Sequence, residues 1–188
     1  MTKPSLPATS NRQKNRVQSL ESRRDDLLEA FNKSVQVFLA TAEMFPRSLV
    51  KQRPAYQKSR SLKPGEIEKR PFTATEIVFH MVDVELLWQY RIKGLLSGEF
   101  RRFQQMNPDK EALEKRYNSR NYERGLRELA MSRAETTRMI AVLTNDELMR
   151  TGLHSKYGEM NTINILETME AHDRQHAAQL DRTLAAIA

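Results

Sequence analysis

Along most of this chain apolar residues recur every three or four positions, the spacing of one helix face. The first such run covers residues 17–45, with Leu20, Leu27, Leu28, Phe31, Val35, Phe38, Leu39 and Ala42 in register, and Pro46 stops it. A second opens at Thr73, where Thr73 and Glu76 have the T-x-x-E spacing of a capping box, and runs to about Ser97, with Gly98 as its stop. A third covers 119–143 and a fourth 161–186. No stretch alternates apolar and polar residues as a strand would, and glycine is scarce, with 6 residues. Four long helices without strands predict an all-α four-helix bundle.

The connections are uneven. Residues 47–71 carry Pro54, Pro64, Gly65 and Pro71 and little periodicity, which predicts a surface crossover. Residues 99–118 are polar, with a short helix expected from Asp109 after Pro108. Thr144 and Glu147 form another capping box, and 151–158 reads as a loop holding His154, Tyr157 and Gly158. Residues 1–16 are rich in Pro, Ser, Asn and Lys, the composition of a disordered basic tail. Residues 17–188 then form one domain, as 188 residues build one sizeable core rather than two.

Composition narrows the chemistry. There is no cysteine, so disulfides, a cysteine nucleophile and thiolate metal ligands are excluded. No apolar run reaches membrane-spanning length and the N-terminus lacks a signal-peptide pattern, so no membrane partner and a cytoplasmic location are expected. The net charge of +7 invites a nucleic-acid reading, but its distribution argues against one. Residues 1–70 hold 15 basic and 7 acidic residues, whereas 71–188 hold 16 and 17. The excess is a solvated tail and face without the interleaved aromatics of single-strand binders.

Three of the four histidines fall on core-facing stripes. On a helical wheel Thr73, Ile77, Val84, Leu87, Arg91 and Leu95 lie within about 60° of His80. Ile165, Met169, His172, Leu180 and Ile187 lie within about 40° of His176. His172 and His176 are one turn apart, the spacing at which two imidazoles share a metal ion. With His80 on another helix, three imidazoles can hold a divalent ion and leave positions open, the pattern of a catalytic site. Such an ion acidifies a bound water or thiol. Glu76, Asp83, Glu170 and Asp173 are candidates to accept the second N–H of a ligand histidine. Asp83 is alternatively a fourth ligand or a partner of Arg91, while Glu170 and Asp173 are alternatively surface charges. His154 is expected at the surface or fixing its loop. No Gly-rich phosphate loop, G-x-S-x-G elbow or paired Glu-x-x-His motif is present.

The stretch Phe72-Thr73-Ala74-Thr75-Glu76-Ile77-Val78-Phe79-His80-Met81-Val82-Asp83-Val84-Glu85, with Trp88, Arg91 and 95–98, resembles the second-helix motif of the DinB-like (DNA-damage-inducible, YfiT-like) superfamily. Residues 154–160, then His172-Asp173-Arg174-Gln175-His176 and Gln179-Leu180, resemble its fourth-helix motif. Phe72 departs from the family, which more often has Trp there, a change expected to alter packing rather than ligation. The resemblance covers about residues 20–186. It implies an up-up-down-down four-helix bundle, a zinc or nickel ion on His80, His172 and His176, and frequent homodimers. It also implies thiol S-transfer, isomerisation or hydrolysis on a small substrate, in some members with a low-molecular-weight thiol. Asp83 or Glu76 would then orient His80, and Arg91 would meet an anionic substrate group. The alternative is a non-catalytic stress-response protein with a structural metal.

Overall fold

A computed structural model describes residues 11–56, 69–99 and 102–188, with side chains from Ser22 onward. Four long helices dominate: α1 (Asn11–Met44), α2 (Ala74–Ser97), α4 (Tyr122–Ala141) and α6 (Thr162–Ala185). Between them lie β1 (Arg102–Phe103), α3 (Pro108–Glu114), α5 (Asn145–Leu148), β2 (Thr151–His154) and β3 (Gly158–Asn161). Helix α1 begins at Asn11, inside the tail predicted for 1–16; residues 1–10 of that tail and 57–68 of the first crossover lie outside the described residues.

Local chemistry sets the helix ends. Thr73 caps α2, its side chain accepting the Glu76 N–H while the Glu76 carboxylate accepts the Thr73 N–H. Gly98 closes the helix in the left-handed conformation at φ 75°. Thr144 with Glu147 and Asn161 with Asn164 repeat the box at α5 and α6, and Asn107 caps α3 ahead of Pro108.

Helix α1 packs against α6 and α4, and α2 against α4 and α6. The core divides along the bundle axis. At one end Phe38 and Ala42 of α1 meet Ile77 and Phe79 of α2, Leu126 of α4 and Leu180 of α6. At the other, Leu28 and Phe31 meet Trp88 and Ile92, Ile140, and Ile165 with Met169. Each of the larger of these side chains contributes about 1.5–3 kcal/mol by leaving water. These pairings make α2 antiparallel to α1, α4 parallel to α2, and α6 parallel to α1. The four-helix bundle is the predicted one; its helices run up, down, down, up rather than in the up-up-down-down order implied by the resemblance. The reason is the connection after α2, which returns along the bundle from Phe103 in one cluster to Tyr117 in the other, so α4 starts beside the start of α2.

The expected loop at 151–158 is a hairpin. Strands β2 and β3 pair antiparallel, and β1 adds to β2 in parallel, Phe103 facing His154. Gly158 turns the hairpin at φ 77°. Gly152 permits a close approach: a Cβ there would lie 2.7 Å from Leu95 and 2.8 Å from Phe103. The strands escaped the sequence reading because their alternation is inverted, with Gly152 and His154 inward and Leu153 outward.

Candidate metal centre

His80 lies in the first half of α2, while His172 and His176 lie one turn apart on antiparallel α6, so the three rings meet across one helix interface. His172 Nε2 is 3.3 Å from His80 Nε2 and 3.0 Å from His176 Nε2. One nitrogen from each ring falls within 4.8 Å of the others. His80 is 5 % exposed, and Phe72 covers it edge-on at 6.0 Å between ring centres. Burial, then the neighbouring His176, lowers the His80 pKa to about 3. Burial, with His176 and His80 adding to it, lowers that of His172 to about 2. His176 is lowered by burial too, though Gln179 and Asp173 oppose the shift. All three imidazoles are therefore neutral at pH 7.

Neutral imidazoles whose nitrogens converge fit a divalent cation. The outer atoms agree. His176 Nδ1 donates to Gln179 Oε1 at 2.6 Å, which fixes the tautomer and turns the Nε2 lone pair inward. His80 Nδ1 is buried and has no hydrogen-bond partner among the described residues. Gln179 belongs to the fourth-helix motif, and its i+3 spacing from His176 is the sequence signal for this contact.

The carboxylates expected to orient His80 are engaged elsewhere. Asp83 accepts from Tyr117 and from Lys115 Nζ at 2.8 Å. Glu76, fully buried, accepts from Arg53 at 2.7 Å and from the cap amide of Thr73. Neither bonds His80, and Asp83 does not pair with Arg91: the residues C-terminal to α3 and the first crossover supply cations that claim both. Of the other two, Glu170 pairs with Arg174. Asp173 is a buried strut. Arg133 donates to both of its oxygens at 2.7 and 3.0 Å, and Ser34 Oγ adds a bond at 2.6 Å. The same guanidinium bonds Glu85 at 3.0 Å and stacks 3.7 Å over Phe31. One buried cation thus ties the residue after His172 to α1, α2 and α4.

The triad opens into a cavity of about 490 Å³, also lined by Phe72, Trp88, Arg91, His154, Tyr157 and Gln175. Arg91 is buried, its guanidinium 4.2 Å over the Trp88 ring and donating to the Gln104 carbonyl. Burial lowers its pKa to about 10, so it stays charged at pH 7. His154 does fix its loop, since Nδ1 accepts the Lys156 and Tyr157 amides at 3.0 and 3.3 Å. It is not at the surface: it is 3 % exposed, between Trp88 and Tyr157.

The fold and the cluster define a class, that of helical bundles gathering imidazoles from facing helices at a cavity. A family model described as the DinB superfamily matches residues 30–180, and the chain belongs to that superfamily. No curated protein matches the sequence. Among solved structures the chain is similar to YfiT from Bacillus subtilis, described as a probable metal-dependent hydrolase with an unusual four-helix bundle topology. The TM-score is 0.67 at 16 % identity, over 97 % of this chain and 91 % of that one. It is similar also to a mycothiol-dependent maleylpyruvate isomerase, with a TM-score of 0.64 at 12 % identity, covering 88 % of this chain and 62 % of that one. The colibactin self-resistance protein ClbS, solved in complex with double-stranded DNA, has a TM-score of 0.58 at 13 % identity, over 88 % and 97 %. At these identities the likeness shows the fold. No helix among the described residues is long and apolar enough to cross a membrane.

Proposed function

We propose that this chain is a metal-dependent enzyme that binds one zinc or nickel ion through Nε2 of His80, His172 and His176 and acts on a small electrophile by thiol S-transfer or hydrolysis. The observation that carries this reading is the convergence of three neutral imidazoles on a cavity of about 490 Å³. When bound, such an ion supplies Lewis acidity and acidifies a water or thiol. The chain's residues do the rest. Gln179 holds the His176 tautomer. Asp173, locked by Arg133 and Ser34, fixes the helix turn that carries His172. Phe72 covers His80 edge-on and shields that side of the triad from water, which strengthens charge interactions there. Arg91 offers a cation to an anionic part of the substrate.

A cavity of this size suits a small molecule, optionally with a low-molecular-weight thiol, and is far too small for a nucleic-acid duplex. The hydrolase and isomerase descriptions of two fold neighbours support the reaction classes. From the family resemblance, we infer that the chain pairs as a homodimer. The alternative, a non-catalytic stress-response protein with a structural ion, needs a closed four-ligand site, and the open cavity favours the enzyme. The test is a panel of electrophiles and thiols with zinc- or nickel-loaded protein. Turnover that is lost in His172→Ala supports the enzyme, whereas a fully metallated protein inert toward the whole panel favours the structural ion.

A further inference from the structure

The cavity has a second group of donors, set apart from the triad. At 1.5 Å of rise per residue, Trp88 lies about 12 Å and Arg91 about 16 Å further along α2 than His80. Trp88 carries the Arg91 guanidinium over its ring at 4.2 Å and stacks against His154, with 5.8 Å between ring centres. All three line the cavity. The His154 ring is held from behind, its Nδ1 accepting two backbone amides. A nitrogen that accepts carries no proton, so the proton of the neutral ring sits on Nε2. Fixing the loop uses only Nδ1, which an asparagine oxygen would replace. What histidine adds is an N–H at the far side of the ring. The ring's position is itself fixed, because β1 pairs with β2 and the Phe103 carbonyl accepts the Ser155 amide at 2.9 Å. The surrounding charge has one sign in excess: among the described residues Lys69, Arg70, Arg91 and Lys156 line the cavity against the carboxylate of Asp109.

We propose that His154 Nε2–H and the Arg91 guanidinium form a carboxylate-binding subsite, which holds the acid group of a small organic acid beside Trp88. This deepens the small-molecule reading of the cavity by naming its substrate class. It gives His154 a positioning role toward substrate, beyond its loop. Two donors, one charged and one neutral, suit the two oxygens of a carboxylate.

Trp88 is the chain's single tryptophan, so its fluorescence reports the subsite directly. The probe is benzoate, titrated into the full-length protein after chelator dialysis and again with zinc added. The expected result is saturable quenching in both forms, with Kd raised about tenfold in His154→Asn and in Arg91→Met, the loss typical of one hydrogen bond to a charged group. The asparagine retains an acceptor for the Lys156 and Tyr157 amides. Should a variant misfold, nitrogen-15 NMR of the unmutated protein decides. A His154 ring protonated on Nε2 whose N–H signal moves with benzoate supports the subsite; protonation on Nδ1 overturns it. Quenching that requires zinc and is unchanged in His154→Asn places benzoate on the ion, so the subsite falls while the metal reading stands. Quenching of metal-free protein that weakens in His154→Asn, in a chain that takes up no zinc, leaves the subsite standing and removes the metal. No quenching in either form overturns the subsite.

Discussion

Replacing Arg133 by methionine removes the cation that Glu85 and Asp173 share in the bundle interior. Both carboxylates are buried, and Arg133 is their common partner at 2.7 to 3.0 Å. With one guanidinium between two carboxylates, the trio is short of a positive charge. Burial accordingly pushes the Glu85 carboxyl up, against the opposing pull of Arg133 and Thr136. Removing the cation strands two buried anions, and breaking a buried pair in this way costs about 3–5 kcal/mol. At roughly 3 °C per kcal/mol for a domain of this size, the melting temperature of Arg133→Met falls by roughly 10 °C or more at pH 7. Glu85→Gln should differ in kind. It removes the surplus charge and leaves a balanced Arg133–Asp173 pair, so its cost is about 1 kcal/mol or less. The pH dependence has a definite sign. A carboxyl whose folded pKa is raised favours folding below its unfolded pKa and disfavours it above. The deficit of Arg133→Met relative to the parent should therefore shrink as pH falls from 7 toward 4.5. Urea unfolding followed by circular dichroism at both pH values measures this. A Glu85→Gln protein as unstable as Arg133→Met, or a deficit independent of pH, would refute the reasoning.

The histidines predict a second pH dependence, for metal-free protein. A histidine with a lowered folded pKa takes up its proton on unfolding, so its contribution is intact above pH 6.5 and lost as pH falls toward 3. From pH 8 to pH 5.5, His80 and His172 should together cost about 3 kcal/mol, read by urea titration, and the loss should vanish in a His80→Phe, His172→Phe double variant. Gln179→Leu leaves the His176 Nδ1–H without its acceptor, and zinc affinity should fall about 10- to 100-fold with the fold unchanged, as measured by competition with a chromogenic chelator. Gly152→Ala drives a methyl group to 2.7 Å from Leu95 and 2.8 Å from Phe103, an overpacking worth about 1–3 kcal/mol by thermal unfolding.

Much of the bundle was legible because its signals are local. Thr73 with Glu76, Thr144 with Glu147, and the stops at Pro46 and Gly98 mark helix ends whatever the rest of the chain does. The stripes centred on His80 and His176 turned inward because burial of their apolar neighbours forces it. What stayed hidden depends on contacts distant in sequence. Asp83 and Glu76 share a helix with His80, but Lys115, Tyr117 and Arg53 decide their partners, and nothing in α2 announces these. The buried trio joins Glu85, Arg133 and Asp173 from three helices. The hairpin at 151–161 was missed because a glycine and a histidine occupy its inner face, where the alternation rule expects aliphatic residues. The same inversion left His154 reading as a surface residue, although it is packed on Trp88.

On the proposed function, His80, His172 and His176 together hold one divalent ion. Isothermal titration of chelator-stripped protein with zinc tests it most directly. The expected result is one ion per chain, binding weakened more than about a hundredfold in His80→Ala, His172→Ala and His176→Ala alike, and an unchanged helical circular-dichroism spectrum. Unaltered zinc binding in any one of these three variants would contradict it.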